Sequence, residues 1–378
     1  ALAQIDTTAG DVPGNVERIR AAWTRARDEG ADLVVAPELA VVGYPPRDLL
    51  LRRSIVRAAE RATEELAANL ADGPALVVGT VLPNPRPIGR PLHNAAVLLR
   101  DGRIEATYAK RLLPTYDVFD EHRYFEPGED PEIVEVAGRR VGLLVCEDLW
   151  VQDLVRGRHL YEADPPADLA RLGVDVAVAI ASSPFHQGKD VHRRELFAAE
   201  ARRMGVPLVV VQQVGGNDEV LFDGRSRAFD AQGRDVARLA AFEEDFRVLD
   251  VDAAEPLPPE DPPPTATVIR QALVMGIRAY FRKTGFRDAV IGLSGGVDSG
   301  VTACLAAEAL GPEHVLCVGM PGPYSASMSL DAARAQAETL GVRFAALPIA
   351  GPYEAFREVL APLVGDRPFD VTEENLQA

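Results

Sequence analysis

The segment that most restricts how this chain can fold is Ser294-Gly295-Gly296-Val297-Asp298-Ser299. Ala289-Val290-Ile291-Gly292-Leu293 precedes it with the unbroken apolar run of a buried strand, and residues 300–310 follow with a helical pattern. A strand that turns through glycines into a helix aims free backbone N–H groups and the positive end of the helix dipole at one point. That point is a cradle for an anion such as a phosphate. The two glycines permit positive φ and let a ligand approach the backbone closely. Ser294 and Ser299 add hydroxyl donors, and Asp298 is positioned to hold a cation beside bound phosphates. No lysine follows the glycines, so this is not the GxxxxGK[ST] loop. The plainer alternative is a tight strand-to-helix turn without a ligand.

The pattern around this turn fixes the fold class. Residues 267–283 and 330–340 read as helices, and residues 315–320 and 343–347 as strands. That alternation predicts a doubly wound parallel sheet with the glycine turn at the carboxyl end of its first strand, where ligands of such sheets bind. The longer N-terminal part alternates in the same way. Helical periodicity covers 16–29, 54–70 and 188–204; β-rich apolar runs cover 31–37, 75–80, 140–146, 174–181 and 207–214. Residues 93–99 and 103–108 form a hairpin about Arg100-Asp101-Gly102, and a second hairpin turns at 231–234. The expectation is a layered α/β domain. Six prolines between Pro256 and Pro264 divide the chain. The expected organisation is a first domain at 1–252, a linker at 253–266 and a second domain at 267–378. The sequence begins inside an apparent strand and stops inside an apparent helix at 373–378, so a fragment of a longer protein is expected, its second domain incomplete.

A formal net charge of −17 with no local basic stripe argues against a nucleic-acid partner. No apolar run is long enough to span a membrane, and no basic-then-apolar leader is present. The three cysteines, Cys146, Cys304 and Cys317, have neither metal-ligand nor disulfide spacing, so a reducing cytoplasm is the expected location.

In the first domain, Glu38, Lys110 and Cys146 each follow an apolar strand. Singly, each has an ordinary explanation: a surface carboxylate, a solvated lysine beside Arg111, an inert buried thiol. As a set they supply what attack on an unreactive amide needs. A thiolate is the nucleophile, a carboxylate accepts the thiol proton and later activates water, and an ammonium stabilises the developing oxyanion. Pro37-Glu38-Leu39, Tyr108-Ala109-Lys110-Arg111-Leu112-Leu113-Pro114 and Cys146-Glu147-Asp148-Leu149-Trp150 stand in the order of the three signatures of the nitrilase superfamily, which residues 1–250 therefore resemble. The resemblance implies an α-β-β-α sandwich with Cys146 as nucleophile, Glu38 as general base, Lys110 as transition-state stabiliser and Glu121 as the further glutamate common near the lysine. Gly43-Tyr44-Pro45 and Ser182-Ser183-Pro184-Phe185-His186-Gln187-Gly188-Lys189 are similar to glutamine-binding segments of its glutaminase members. By that likeness Tyr44, Trp150, Ser183 and Lys189 line a glutamine pocket, with Lys189 on the α-carboxylate and Glu121 on the α-ammonium. His186 reads as structural, and residues 213–219 resemble a family loop to which no chemistry is assigned.

Ser294–Ser299 resembles the SGGxDS pyrophosphate loop of the ATP pyrophosphatases, whose domains are adenine nucleotide alpha hydrolase-like. The two halves together resemble the glutamine-dependent NAD synthetases. Met320-Pro321-Gly322-Pro323-Tyr324-Ser325-Ala326-Ser327 is similar to that family's nucleotide-binding segment, although serine is expected where Gly322 stands. Residues 375–378 resemble the start of its next helix. The resemblance implies that glutamine is hydrolysed and its ammonia passed to adenylated nicotinic acid adenine dinucleotide, giving NAD, AMP and pyrophosphate. Ser294, Gly295, Gly296, Val297, Asp298, Ser299 and Met320 would bind ATP and pyrophosphate, with Mg²⁺ on Asp298. Residues recognising the dinucleotide would lie largely beyond Ala378, and a homo-oligomer with an internal ammonia passage would be the assembly. Two readings compete: a stand-alone ω-amidase with a degenerate nucleotide domain, and a nucleotide-sensing module that binds ATP without turnover.

Overall fold

A computed structural model describes residues 1–70, 72–153 and 157–364, with Val371 and Asn375. The expected terminal helix at 373–378 lies, apart from Asn375, outside the described residues. The chain divides into two compact units, Ala1–Ala272 and Leu273–Ala378.

The first unit opens with β1 (Leu2–Gln4), α1 (Val12–Asp28), β2 (Leu33–Val35) and α2 (Arg53–Asn69). Helix α1 starts earlier than periodicity alone suggests because Asp11 caps it, accepting from Gly14 N, and Pro13 fits the first turn. Its apolar stripe, Ile19, Trp23 and Ala26, is buried as the spacing requires. Strands β3 (Ala75–Pro83), β4 (Leu92–Arg100) and β5 (Arg103–Ala109) complete one sheet. Next come β6 (Ile133–Val136), β7 (Arg139–Val145), α3 (Pro165–Leu172), β8 (Val176–Ala181), α4 (Lys189–Met204) and β9 (Leu208–Gln212). The hairpin β10 (Val214–Asn217) and β11 (Val220–Asp223) leads to β12 (Arg227–Phe229), β13 (Asp235–Arg238) and β14 (Asp245–Arg247). The apolar run at 207–214 is thus two strands, broken at Gln213, because Val214 leaves the sheet to begin the hairpin.

Two six-stranded sheets result, ordered β14-β1-β2-β3-β4-β5 and β13-β12-β9-β8-β7-β6. Strands β1, β2 and β3 are parallel in one, and β7, β8 and β9 in the other. Every residue of β8, Val-Ala-Val-Ala-Ile-Ala, is buried, as befits a central parallel strand covered on both faces. One core fills the space between the sheets and continues to α3 and α4 through Leu169, Phe197 and Met204. A second lies under α1 and α2, around Ile19, Trp23 and Leu66. The layers are therefore α-β-β-α. The arrangement puts the residues after β2, β5, β7 and β8 in one neighbourhood, which the candidate site residues Glu38, Lys110 and Cys146 occupy.

The stretch with the six prolines runs between β14 and α5 (Thr265–Thr284) without regular structure. The second unit continues with β15 (Ala289–Gly292), α6 (Val297–Leu310), β16 (Val315–Gly319), α7 (Ser327–Leu340), β17 (Arg343–Ala346) and α8 (Ala350–Val364). Its strands are parallel in the order β15-β16-β17. Small residues let α6 lie close to α7: a Cβ on Gly300 would stand 2.8 Å from Gln336 Oε1, and Ala303, Ala306, Ala333 and Ala337 share the core. No helix among the described residues is long and apolar enough to cross a membrane.

One glycine links fold to site. In β3, a Cβ on Gly79 would fall 2.2 Å from Leu39 N and 2.6 Å from Glu38 Cα, so the loop carrying Glu38 rests directly on the strand. Gly79→Ala is expected to destabilise the first unit by about 1–3 kcal/mol through overpacking. The same variant should lower amide hydrolysis more than this loss of folded protein accounts for, as checked by thermal unfolding beside a rate assay.

Candidate active site

Glu38, Lys110, Glu121 and Tyr44 form one buried hydrogen-bonded cluster. Lys110 Nζ lies 2.7 Å from Glu38 Oε1 and 2.9 Å from both oxygens of Glu121. Tyr44 donates its hydroxyl to Glu121 Oε1 at 2.9 Å. Glu38 is further held by Asn94 Nδ2 on Oε1 at 2.8 Å and by Ser182 N on Oε2 at 2.9 Å. Lys110 is 1% exposed and Glu38 0%, so no solvent shares in their pairing. Burial works against the lysine charge, but Glu121 and Glu38 outweigh it and hold the ammonium well above its ordinary pKa. Burial lifts the Glu121 carboxyl to about 7, with Lys110 pulling it down and Glu38 pushing it up.

Cys146 follows β7 as the first residue of a 3-10 turn, Cys146–Trp150, at φ 45°. A left-handed conformation there turns the chain sharply off the strand. Asp148 holds the turn: its carboxylate accepts from Val145 N at 2.9 Å, Leu112 N at 3.0 Å, Arg111 N at 3.1 Å and the Tyr108 hydroxyl at 2.8 Å. One buried side chain thus ties the strand end bearing Cys146 to the strand end bearing Lys110. Burial pushes the Cys146 thiol well up; Glu38 adds to this, and Lys110 opposes it. The resting sulfur is therefore a thiol.

Glu147 was not singled out by its sequence position, yet it is buried with two tyrosines aimed at it. Tyr116 donates to its two oxygens at 2.9 and 3.1 Å, and Tyr161 donates to Oε1 at 2.7 Å. Burial raises this carboxyl to about 7, against the pull of Lys110 and the two hydroxyls. Tyr116 meets Phe119 edge-on at 5.6 Å. The Lys189 ammonium in turn sits 5.9 Å from the Phe119 ring and 5.4 Å from the Trp150 ring. Burial and then Arg193 lower the Lys189 pKa, and among the described residues it forms no ion pair. A half-buried cation at the face of Trp150 and a buried carboxylate held by two tyrosines thus both lie on or against the Cys146–Trp150 turn. Ser183 is buried, its N–H on Gln212 Oε1 at 3.3 Å. A cavity of about 510 Å³, lined by Tyr44, Phe119, Glu121, Tyr124 and Pro184, opens next to this cluster.

The sequence segments of the first domain are thus brought together. Tyr44 and Glu121, expected at the glutamine, are bonded to each other, and Glu121 is also bonded to Lys110. The carboxylate bonded to Tyr116 and Tyr161 is Glu147. His186 is exposed, its Nδ1 on Gln187 O. The loop at 213–219 positions the site: the Gln213 and Asn217 amides donate to Tyr44 O at 3.2 and 2.9 Å, and Ser182 Oγ donates to Gln213 Oε1 at 3.1 Å. Asn94, Ser182 and Glu147 were missed because isolated polar residues leave no periodic trace. The adjacency of Glu147 to Cys146 was the one available clue.

In the second unit, the glycine turn and Met320 lie at the carboxyl ends of the neighbouring strands β15 and β16. Helix α6 begins inside the motif, at Val297, with Gly296 as its cap and no side chain closing its first turn. Gly295 has φ 82°, and a Cβ there would stand 2.2 Å from Ser329 O, so only glycine fits. The Ser294 and Ser299 hydroxyls are 3.0 Å apart, and Ser299 Oγ receives Ser294 N at 3.2 Å. Met320 is 53% exposed, and its Cε would lie 3.2 Å from a Cβ on Gly292. Asp298 is exposed at the helix start. Among the described residues no group of three or more His, Cys, Asp or Glu could hold a metal alone.

Residues 1–255 match the carbon-nitrogen hydrolase family, and residues 269–378 match NAD synthase. A glutamine-dependent NAD(+) synthetase of Synechocystis sp. is 41% identical over 390 residues, an alignment covering 100% of this chain and 69% of the relative. The solved structure of glutamine-dependent NAD+ synthetase from Acinetobacter baumannii in complex with ADP superposes with a TM-score of 0.90 at 34% identity, covering 100% of this chain and 69% of that one. An amidase from Nesterenkonia sp. matches 65% of this chain, and 86% of its own, at TM-score 0.53 and 26% identity. The protein is therefore a two-domain one that joins a carbon–nitrogen hydrolase to a nucleotide-dependent synthase. It belongs to the glutamine-dependent NAD(+) synthetase family, and the reading as a stand-alone amidase is not favoured, since its match stops with the first domain.

The interlocked cluster gives a direct expectation. Lys110→Met strands two buried carboxylates without a counter-charge and is expected to cost about 3–5 kcal/mol of stability. It should also abolish amide hydrolysis; denaturant titration and a glutamate-release assay check both.

Proposed function

We propose that this chain carries both catalytic centres of a glutamine-dependent NAD synthetase, and that the division at 253–266 separates a glutaminase domain from an ATP-using synthetase domain. The observation that carries the reading is the coexistence of the buried Glu38–Lys110–Glu121 cluster beside Cys146 with an intact glycine cradle at Ser294–Ser299.

In the glutaminase step, Cys146 Sγ attacks the side-chain amide carbon of glutamine. Because the resting sulfur is protonated, attack requires a base, and Glu38 takes the thiol proton. Its Oε2, which receives one hydrogen bond, has a lone pair for that proton. Lys110 stays charged and faces the developing oxyanion, with a backbone N–H after Cys146 as second donor. Glu38 returns the proton to the departing nitrogen, ammonia leaves, and the γ-glutamyl thioester remains. Glu38 then deprotonates water, which releases glutamate and the thiol. Lys189 holds the substrate α-carboxylate; Glu147, with Tyr116 and Tyr161, holds its α-ammonium in the place first expected for Glu121. Tyr44, Trp150 and Ser183 shape the pocket.

In the synthetase step, the N–H groups of Gly295, Gly296 and Val297 and the Ser294 and Ser299 hydroxyls receive the pyrophosphate of ATP at the start of α6, with Met320 beside the nucleotide. Mg²⁺ would be held by Asp298 and by the phosphates themselves, and it supplies charge neutralisation there. The carboxylate of nicotinic acid adenine dinucleotide displaces pyrophosphate to form an adenylate. Ammonia from the first centre displaces AMP and gives NAD. The three free cysteines suit a cytoplasmic enzyme, and a homo-oligomer that channels ammonia is the assembly inferred from the family.

The decisive experiment supplies amide-¹⁵N glutamine, ATP, Mg²⁺ and the deamido dinucleotide to the complete enzyme and follows the label into NAD. Cys146→Ala should lose at least about 10³-fold with glutamine while keeping synthesis from free ammonia. Equal loss with both nitrogen sources defeats the division of labour. The Glu147 assignment has its own pH signature. Its carboxyl, raised to about 7, must ionise to hold an ammonium, so glutamine kcat/KM should climb as pH rises through about 7. In the free protein the sign is opposite: stability from the raised pKa is complete below the ordinary carboxyl range and lost as pH rises through about 7. Glu147→Gln should raise KM by about 10- to 100-fold, as loss of a charge-assisted bond does, and flatten that climb.

A further inference from the structure

Lys189 is the first residue of α4, and a helix N-terminus repels a cation. Something must therefore fix that end of the helix. The next residue, Asp190, is gripped by two arginines of the β12 region: Arg227 Nη2 lies 3.2 Å and Arg225 Nε 3.7 Å from its Oδ2. Arg227 is 3% exposed at its side chain, so it depends on its carboxylates. The same two arginines also meet Glu260, at 2.8 Å from Arg225 Nη1 and 3.5 Å from Arg227 Nη2. Glu260 further pairs with Arg238 Nε at 3.0 Å. Glu260 belongs to the proline-rich stretch between the two domains. Nη2 of Arg227 is thus shared between a carboxylate next to Lys189 and a carboxylate of the linker. The start of α5 reaches the same segment: Gln187 Nε2 lies 3.5 Å from Thr265 Oγ1.

We propose that Glu260 is a positioning residue for glutamine use: it latches the linker to Arg225 and Arg227, so that these hold Asp190 and keep Lys189 in the geometry that receives the substrate α-carboxylate. Without the Glu260 charge, Arg225 is left to Asp190, and Arg227 to Asp190 and to Asp235, 3.4 Å from its Nη1, and the first turn of α4 follows them. The linker then sets the grip on glutamine without touching it. This inference rests on the glutamine-pocket reading of Lys189 given above.

The test compares two labels on Cys146 in the complete enzyme, each followed by peptide mass spectrometry. The amino-acid-like 6-diazo-5-oxo-L-norleucine needs the Lys189 grip; iodoacetamide does not. In Glu260→Gln, labelling by the diazoketone should slow about tenfold and the glutamine KM should rise about tenfold, as a displaced positioning group produces. Iodoacetamide labelling, kcat with glutamine and NAD formation from free ammonia should stay within about twofold of wild type, because none of these uses the grip. If both labels slow together, Glu260 acts on stability alone and the proposal falls; it falls equally if neither changes. Should Glu260→Gln not fold, Glu260→Asp, which keeps the charge with a shorter reach, must give the same selective slowing to a smaller degree. Lys189→Met separates the two ideas: an unchanged glutamine KM in that variant overturns the pocket reading itself, whatever Glu260 does.

Discussion

A charge without water must be surrounded by opposite charge, and Lys110 obeys this rule with both Glu38 and Glu121 against its ammonium. The remainder of the first unit can be understood as the means of keeping these three groups together. Each comes from a different loop, so none can be placed by local structure alone. The carboxyl ends of β2 and β5 deliver Glu38 and Lys110, and the short 3-10 turn at Glu121 closes the far side. Burial is what chiefly keeps the nearby thiol protonated and lifts Glu121 to about 7, and the second carboxylate, Glu38, adds to both effects while Lys110 opposes them.

The supports behind this cluster are as specific as the cluster itself. Asp148 gathers four donors from two strand ends, so that the Cys146 turn and the segment after Lys110 share one anchor. Gly79 lets β3 act as a floor for the Glu38 loop. Gln213 and Asn217 hold the backbone of Tyr44 from the β10–β11 side. These residues do no chemistry, yet they fix orientation for residues that must act within hydrogen-bond reach of one another.

Much of this was legible in the sequence, for identifiable reasons. Apolar runs such as those of β7 and β8 marked strands, and the reactive residues just past β2, β5 and β7 marked the candidate site. The SGGVDS turn carried its own geometry, since two glycines and a helix start leave few conformations open. The set of Glu38, Lys110 and Cys146 was found through motif order, not through spacing in space. The bonds among Asn94, Ser182 and Glu38 had no such trace, because contacts between residues far apart in the chain have no period. Helix starts were misjudged where caps decided them, at Asp11 for α1 and Gly296 for α6. The bonds of Glu121 to Lys110 and of Glu147 to Tyr116 and Tyr161 have the same origin: both are carboxylates near the lysine in sequence or motif, and only the fold reveals which one Lys110 pairs with.

The left-handed backbone at Cys146 also limits what this scaffold could become. A residue branched at Cβ is a poor fit at φ 45°, whereas an unbranched side chain is tolerated. Serine could therefore occupy the position and threonine could not do so without reshaping the turn. The backbone, as much as the chemistry of sulfur, restricts which nucleophiles evolution or design can try at the end of β7.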